Sequence, residues 1–219
     1  LRDISMSEHY SGVCGISEME LHTSFDDVVE SFAVHNNQTK NEAYEEFRRR
    51  YDGYHFSPGT PGMYNPFSLL NAFDSLEFGN YWFETGTPSY LVELMQDQDM
   101  KLWNITKKLV SSDVLNSVDI ATTEPISVIF QSGYLTIKGY KNEYDGYLLG
   151  FPNEEVKRGF LRYLIPRYTS VRPSDTAFEI ESFVEEVRGG DISGFMKRLK
   201  SFFANVPYDL IKDTENHYQ

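Results

Sequence analysis

A pattern of carboxylates and a lysine is the first feature of this sequence that could carry out chemistry. Asp145, Glu155 and Lys157 match the loose spacing of nucleases in which such residues share a metal ion and a water. That arrangement needs the Glu and the Lys on one strand, where residues two apart point to the same face. Pro152-Asn153 instead predicts a helix start, and residues two apart on a helix diverge by about 200°. We therefore interpret Glu155 and Lys157 as solvated charges in a first helical turn.

Two further groups of residues could bind a ligand. The run Arg48-Arg49-Arg50 could supply a phosphate-contacting arginine to a neighbouring ATPase core, or it could form an exposed helix face. Aromatic side chains beside turn glycines could line a ligand groove, or they could belong to the core. A glutamine within an apolar helix is expected to be a hydrogen-bonded core amide. The candidates in this second group are Tyr54, Tyr64, Asn65, Trp82 and Gln131.

Other kinds of chemistry lack their motifs. The sequence contains no G-x-x-x-x-G-K-[ST] phosphate loop, no H-E-x-x-H pair and no paired cysteines. Its 5 histidines show no metal-ligand spacing, and Cys14 stands alone, which fits a reducing cytoplasm. We therefore expect no cofactor and no metal in this chain, and we expect it to catalyse no reaction alone.

Composition predicts a folded and acidic protein. Hydrophobic residues make up 40% and aromatic residues 15% of the 219 positions, which is enough to form a core. The net charge of −13 repels phosphate backbones, so direct nucleic-acid binding by the chain alone is disfavoured. No apolar run approaches the roughly 20 residues of a membrane helix. We expect a cytoplasmic protein without a membrane partner.

Periodicity and capping signals predict a mainly α (α+β) fold. Residues 1–23 are interpreted as loop with one helical turn, and a helix is predicted from Ser24 to about His35, capped by Ser24. Thr39-x-x-Glu42 predicts a capping box for the next helix. Asn65-Pro66 predicts another helix start, and Thr87-Pro88 repeats the device.

The second half predicts a helix, a hairpin and a helix in succession. An apolar helix over 125–131 is followed by strands over 134–138 and 147–151 and by a helix capped by Asn153. This order resembles a winged-helix unit, and a helical hairpin is predicted after a linker at 169–175. The expected divisions are a helical lid-like region at 1–122, the winged-helix-like unit at 123–168 and helices at 169–219.

Several motifs, in order along nearly the whole chain, resemble the bacterial AAA-ATPase-like family that is usually fused to a PD-(D/E)XK nuclease domain. The motifs are Tyr51-Asp52-Gly53-Tyr54, Tyr64-Asn65-Pro66-Phe67-Ser68, the run from Tyr81 to Pro88, the run from Phe130 to Lys138, Gly150-Phe151-Pro152-Asn153-Glu154-Glu155-Val156, Gly190-Asp191, the run from Val206 to Leu210, and Glu215-Asn216-His217-Tyr218. The resemblance implies an ATPase core before Leu1 and a nuclease core after Gln219, so both ends are expected to be cut from a longer polypeptide.

The resemblance therefore implies a non-catalytic lid and linker region of a cytoplasmic ATPase coupled to a nuclease. It would relay nucleotide state or mediate domain packing, and its partners would be the two missing domains, with nucleic acid reached through them. ATP and Mg²⁺ are implied for the parent protein only. The alternative is a winged-helix module that binds a peptide or nucleic acid through its hairpin, with Lys138, Lys141, Lys157 and Arg158 as the contacting cations.

Overall fold

The computed structural model describes residues 6–85, 109–116 and 124–168, together with positions 189, 191, 193, 194, 196, 197 and 200. Within these residues the protein is mostly helical and has one small antiparallel sheet. The expected mainly α (α+β) class is therefore confirmed. The chain divides into two compact units, Leu1–Gly159 and Phe160–Gln219. The helix predicted from Thr87-Pro88 and the predicted C-terminal helical hairpin lie outside the described residues.

Five helices form the first part of the structure. They are α1 (Glu18–Ser24), α2 (Asp26–His35), α3 (Lys40–Tyr51), α4 (Pro66–Ser75) and the short α5 (Tyr81–Glu84). A 3₁₀ turn at Glu8–Tyr10 precedes them. The capping box of Thr39 and Glu42 forms as predicted, and the Asn65 side chain accepts hydrogen bonds from the backbone N–H groups of Phe67 and Ser68.

The start of the first helix differs from the prediction. Helix α1 occupies a stretch that was interpreted mainly as loop, and Ser24 ends this helix instead of capping the next one. Ser17 and Glu20 form a capping box, with the Ser17 backbone N–H donating to Glu20 at 2.8 Å. This S-x-x-E signal is present in the sequence and is sufficient to place the helix start.

Aromatic rings fill the core between these helices. The ring of Phe47 lies 4.7 Å from Phe32, 5.1 Å from Phe73 and 4.9 Å from Phe78, measured between centroids. Tyr51 is completely buried, and its hydroxyl donates to the carbonyl of Gly79 at 3.0 Å. Edge-to-face contacts of this kind add specific geometry to the apolar burial, so the rings fix how α2, α3 and α4 pack.

A small sheet follows, with strand order β1-β3-β2 and antiparallel pairing throughout. Its members are β1 (Leu109–Val110), β2 (Thr136–Lys141) and β3 (Gly146–Gly150). The predicted hairpin is confirmed, and its turn is the 3₁₀ segment Asn142–Tyr144. The pairing register shifts between Ile137 and Gly139, which leaves a bulge at Lys138. Strand β1 was not predicted, because two residues are too few to show a period.

In the described residues, two helices lie between β1 and β2, and a third follows β3. They are α6 (Ser112–Leu115), α7 (Pro125–Gln131) and α8 (Glu154–Tyr168). The Asn153 side chain accepts from the backbone N–H of Val156 at 3.1 Å, which confirms it as the cap of α8. The predicted order of helix, hairpin and helix is therefore present as α7, β2, β3 and α8.

Glu155 occupies a position that the sequence analysis placed wrongly. Lys157 is exposed as expected, but Glu155 is only 2% exposed. Its carboxylate accepts from the Ser68 hydroxyl at 2.7 Å and from the backbone N–H of Trp82 at 2.8 Å. These bonds replace the water that a solvated charge would have, and they join α8 to α4 and α5.

The contact between α8 and α5 is close because of Gly159. A Cβ atom at Gly159 would overlap the ring of Phe83, so a larger residue there would force the two helices apart. Burial raises the pKa of Glu155 above its ordinary value, although the bonds from Ser68, Trp82 and Phe83 oppose this shift. The carboxylate is thus held in a dry and sterically tight junction.

Replacing Glu155 tests this junction. We expect Glu155→Leu to lower the free energy of unfolding by about 2–4 kcal/mol, because two buried donors would lose their acceptor. We expect Glu155→Gln to stay within about 1 kcal/mol of the parent, because its amide can still accept from Trp82. Urea unfolding of both variants gives these values, and equal losses in the two would contradict the assigned hydrogen bonds.

The pH dependence of Glu155 provides a second check. Because the pKa of Glu155 is raised in the folded protein, the folded state holds its proton more tightly than the unfolded state. Stability of the parent relative to Glu155→Gln should therefore fall as pH rises from about 4.5 through the folded pKa. Unfolding measured at about pH 5 and about pH 8 tests this, and a difference that grows in the opposite direction would contradict it.

Candidate functional site: an aromatic pocket

A pocket of about 850 Å³ lies within the unit Leu1–Gly159. The segment from Tyr54 to Phe67 contributes one side, Trp82 of α5 another, and the ends of α6 and α7 with the start of β2 a third. This volume is in the range of pockets that bind small molecules. Its described lining residues are Met6, Cys14, Tyr54, His55, Phe56, Met63, Tyr64, Asn65, Pro66, Phe67, Trp82, Leu115, Asn116, Phe130, Gln131, Ser132, Gly133, Leu135 and Thr136.

The structure brings together one group of the sequence-predicted candidates and not the other. The residues of the aromatic and amide group all line the pocket: Tyr54, Tyr64, Asn65, Trp82 and Gln131. The three consecutive arginines of α3 are not among its lining residues. The aromatic stretch therefore serves both the interior and a concave surface, which the sequence analysis had treated as alternatives.

Tyr64 forms part of the pocket wall and is anchored from behind. It is 1% exposed, and its hydroxyl donates to Glu18 at 2.5 Å. Partial burial alone would raise the pKa of Glu18, but hydrogen bonds from Arg48 and Tyr64 outweigh it and hold that pKa below its ordinary value. The ionised carboxylate thus fixes the ring of Tyr64.

Tyr54 stands beside the turn that ends α7. Its hydroxyl is buried and has no hydrogen-bond partner of good geometry among the residues that the structure describes, and burial raises the pKa of the phenol. Gly133, at φ +79°, closes the turn, and a Cβ there would lie 3.3 Å from the ring of Trp82. Glycine at this position lets the backbone approach the indole closely.

His55 is a pocket residue that the sequence analysis missed. Its Nδ1 lies 2.8 Å from the carbonyl oxygen of Thr60, so Nδ1 carries the proton and donates. Its Nε2 is then a hydrogen-bond acceptor. The backbone N–H of His55 also donates to the Thr136 hydroxyl at 2.7 Å, which ties this segment to β2. No sequence signal marks this residue, because its partner Thr136 is 81 residues away and is brought near by tertiary packing.

Polar side chains form one rim of the pocket. Asn116 follows the end of α6, Gln131 is the last residue of α7 and Ser132 follows it, and all three are exposed. The Gln131 amide donates to the carbonyl of Leu115 at 2.9 Å. The expectation that Gln131 is a hydrogen-bonded amide is confirmed, but its expected place in the core is wrong, because it is the last residue of a short helix.

The arginines of α3 are engaged with acidic side chains of the same protein. Arg48 pairs with Glu18, while Arg49 and Arg50 both bind Glu46. The guanidinium of Arg50 also lies 4.9 Å from the centroid of the Phe78 ring. The sequence did not predict these ion pairs, and both the exposed helix face and the contact to a phosphate stay predictions.

Two cations of the predicted wing also have protein partners. The Lys138 ammonium donates to the carbonyls of Pro152 at 3.2 Å and Gly53 at 3.4 Å, and Arg158 pairs with Glu154 at 2.8 Å. Lys138 thus links the start of α8 to the segment after α3. These contacts use part of the charge that a nucleic acid would require.

At Gly53, the segment after α3 lies close to the loop before α8. It has φ +108°, and a Cβ there would overlap the carbonyl oxygen of Pro152. Asp52 is next to it, and burial raises the pKa of its carboxyl group. The absence of a side chain at Gly53 therefore admits the loop before α8.

Metal and membrane functions find no support within the described part of the chain. No group of three or more His, Cys, Asp or Glu residues there could hold a metal ion. None of the helices described has the length and apolar character that a membrane crossing requires.

The chain is similar to a curated bacterial protein. That protein, from Azotobacter chroococcum mcd 1, is described as an uncharacterized protein in the vnfD 5′ region and is 29% identical over 211 residues. The match covers 95% of this chain and 38% of the relative. No family model matches the chain, and no solved structure matches it.

Paired glycine substitutions test the approach at Gly53. Gly59 also has a positive φ, of +77°, but nothing lies within 4 Å of the place where its Cβ would be. We expect Gly59→Ala to cost about 1 kcal/mol of stability through backbone strain alone. We expect Gly53→Ala to cost about 3 kcal/mol or more, because its Cβ also collides with Pro152. Denaturant unfolding compares the two, and similar losses would contradict the close contact.

Proposed function

We propose that this chain is a non-catalytic lid and linker region of a longer cytoplasmic ATPase that is coupled to a PD-(D/E)XK nuclease. Its role is to transmit nucleotide state between the two catalytic cores by domain packing. The observation that carries the proposal is that residues of the sequence motifs contact segments that are distant in the chain. Gly53 admits Pro152, and Glu155 receives bonds from Ser68 and Trp82, so the motifs bind distant segments to one another.

A coupling region requires segments that move together. Within Leu1–Gly159, the helices α4 and α5 are joined to α8 through Glu155, and Lys138 of β2 reaches the carbonyls of Gly53 and Pro152. Buried polar contacts such as the bond between Ser68 and Glu155 favour a single arrangement. A displacement imposed on the first helices would therefore be passed to the hairpin and to the start of α8.

The length of the relative supports a parent protein with further domains. The chain spans 38% of the length of the Azotobacter protein, which leaves room for two catalytic cores in a protein of that size. ATP and Mg²⁺ would bind to the ATPase core, and nucleic acid would bind to the nuclease core. The two cores are the partners that we assign to this chain.

The alternative, direct binding of a peptide or nucleic acid by the hairpin, is less favoured. All four cations are exposed, but Lys138 and Arg158 already have protein partners. On a chain of net charge −13, these cations give little attraction for a phosphate backbone.

Assays of the isolated chain test the absence of catalysis. We expect ATP hydrolysis and DNA cleavage in the presence of Mg²⁺ to be indistinguishable from those of a buffer blank. The matched control is Asp145→Asn, which removes a carboxylate of the nuclease-like spacing. Turnover by the unsubstituted chain that disappears in Asp145→Asn would overturn the proposal, because it would place a catalytic residue within this chain.

DNA binding at low salt separates the two functions. We expect no retardation of duplex DNA by the chain at ionic strengths near about 0.01 M, where electrostatic attraction is strongest. The comparison variant replaces Lys138, Lys141, Lys157 and Arg158 together with glutamine. Binding that weakens with salt and is lost in this variant would favour the hairpin as a nucleic-acid site instead.

A further inference from the structure

Among the described residues, the pocket described above is lined by apolar and uncharged polar side chains. Its described lining residues include no Asp, Glu, Lys or Arg, although the protein as a whole has a net charge of −13. A charged ligand would lose its hydration on entry without gaining an opposite charge. The lining therefore selects against phosphates, carboxylates and ammonium groups, and it favours a neutral ligand.

Aromatic side chains supply much of the wall. Rings come from the segment before α4, from α4 itself, from α5 and from α7: Tyr54, Phe56, Tyr64, Phe67, Trp82 and Phe130. A planar ring placed against such side chains gains about 1–3 kcal/mol per stacked contact. Phe67 is 46% exposed and Trp82 is half-buried, so both have surface left to cover.

Several hydrogen-bonding groups lie at the edge of this aromatic surface, and some of them have no partner in the described part of the chain. In the residues that the structure describes, no hydrogen bond is made by the side chains of Asn116 and Ser132, or by Nε2 of His55. Asn116 and Ser132 can each donate and accept, and Nε2 accepts because Nδ1 carries the proton. A purely apolar ligand would leave these groups unpaired, whereas a heteroaromatic ring can satisfy them.

We propose that this pocket binds an uncharged planar heteroaromatic ring, the chemical class that includes nucleobases and nucleosides. The ring stacks on the aromatic wall, and its ring nitrogens and exocyclic groups bond to the polar rim. This site is independent of the coupling role proposed above, since it requires only the fold of Leu1–Gly159. It differs from an ATP site because its described lining residues include no Lys or Arg for the phosphates.

Tryptophan fluorescence gives a direct test. The sequence contains 2 tryptophans, Trp82 and Trp103, so the variant Trp103→Phe leaves Trp82 as the only reporter. The probes are adenosine, cytidine and thymidine, with adenosine 5′-monophosphate as the charged counterpart. We expect saturable quenching by at least one nucleoside with a Kd of about 0.1–1 mM. We expect the monophosphate to bind about fivefold more weakly or not at all.

Variants at the exposed rim locate the binding. Ser132→Phe should fill the mouth and weaken binding about tenfold or more, whereas Ser31→Phe on the exposed face of α2 should leave it unchanged. Asn116→Leu should weaken it about threefold to tenfold by removing a hydrogen-bonding group. Two rim variants are used so that a folding defect in one, seen by circular dichroism, does not decide the result.

Three outcomes would overturn the proposal. The first is the absence of quenching by every nucleoside. The second is equal or tighter binding of the monophosphate, which would show that the pocket accepts charge. The third is quenching that Ser132→Phe and Asn116→Leu leave unchanged. A response to the neutral apolar probe N-acetyl-leucinamide, with none to the nucleosides, would also overturn it in favour of a peptide side chain. None of these results depends on whether the chain couples two catalytic cores.

Discussion

The buried carboxylate of Glu155 is the interaction on which the described structure depends most. A carboxylate that is 2% exposed needs strong hydrogen-bond donors to replace its hydration. The Ser68 hydroxyl on α4 and the Trp82 backbone N–H on α5 are these donors. Because α5 is only four residues long, it has little stability of its own, and the bond to its backbone fixes where it lies. The indole of Trp82 is thereby held as a wall of the aromatic pocket.

The local elements of the fold could be read from the sequence because their signals are local. Thr39 caps α3 through a capping box with Glu42, three residues later. Asn153 caps α8 by accepting a hydrogen bond from the backbone N–H of Val156. Each of these bonds forms within one helical turn, so residue type and spacing determine it. Strand β1 gave no such signal, since its two residues are held by pairing with β3.

The tertiary roles of charged and polar residues could not be predicted in this way. Glu155 lies 87 residues from Ser68 and 73 from Trp82. Its position in a first helical turn predicted that it would be exposed, and this prediction was wrong. Arg48 pairs with Glu18, which is 30 residues away, and the backbone N–H of His55 donates to Thr136, which is 81 residues away. Residue type identified the aromatic members of the pocket, but these long-range partners depend on the packed fold.

The two edge strands of the small sheet affect whether a strand of another chain can pair with it. With the order β1-β3-β2, one outer strand has only two residues, and the other has a bulge at Lys138. A very short strand offers few free backbone groups, while a bulge and a lysine interrupt the regular ladder that a foreign strand would need. The sheet therefore resists edge-to-edge aggregation at its outer strands, and its central strand β3 is protected because it is paired on both sides.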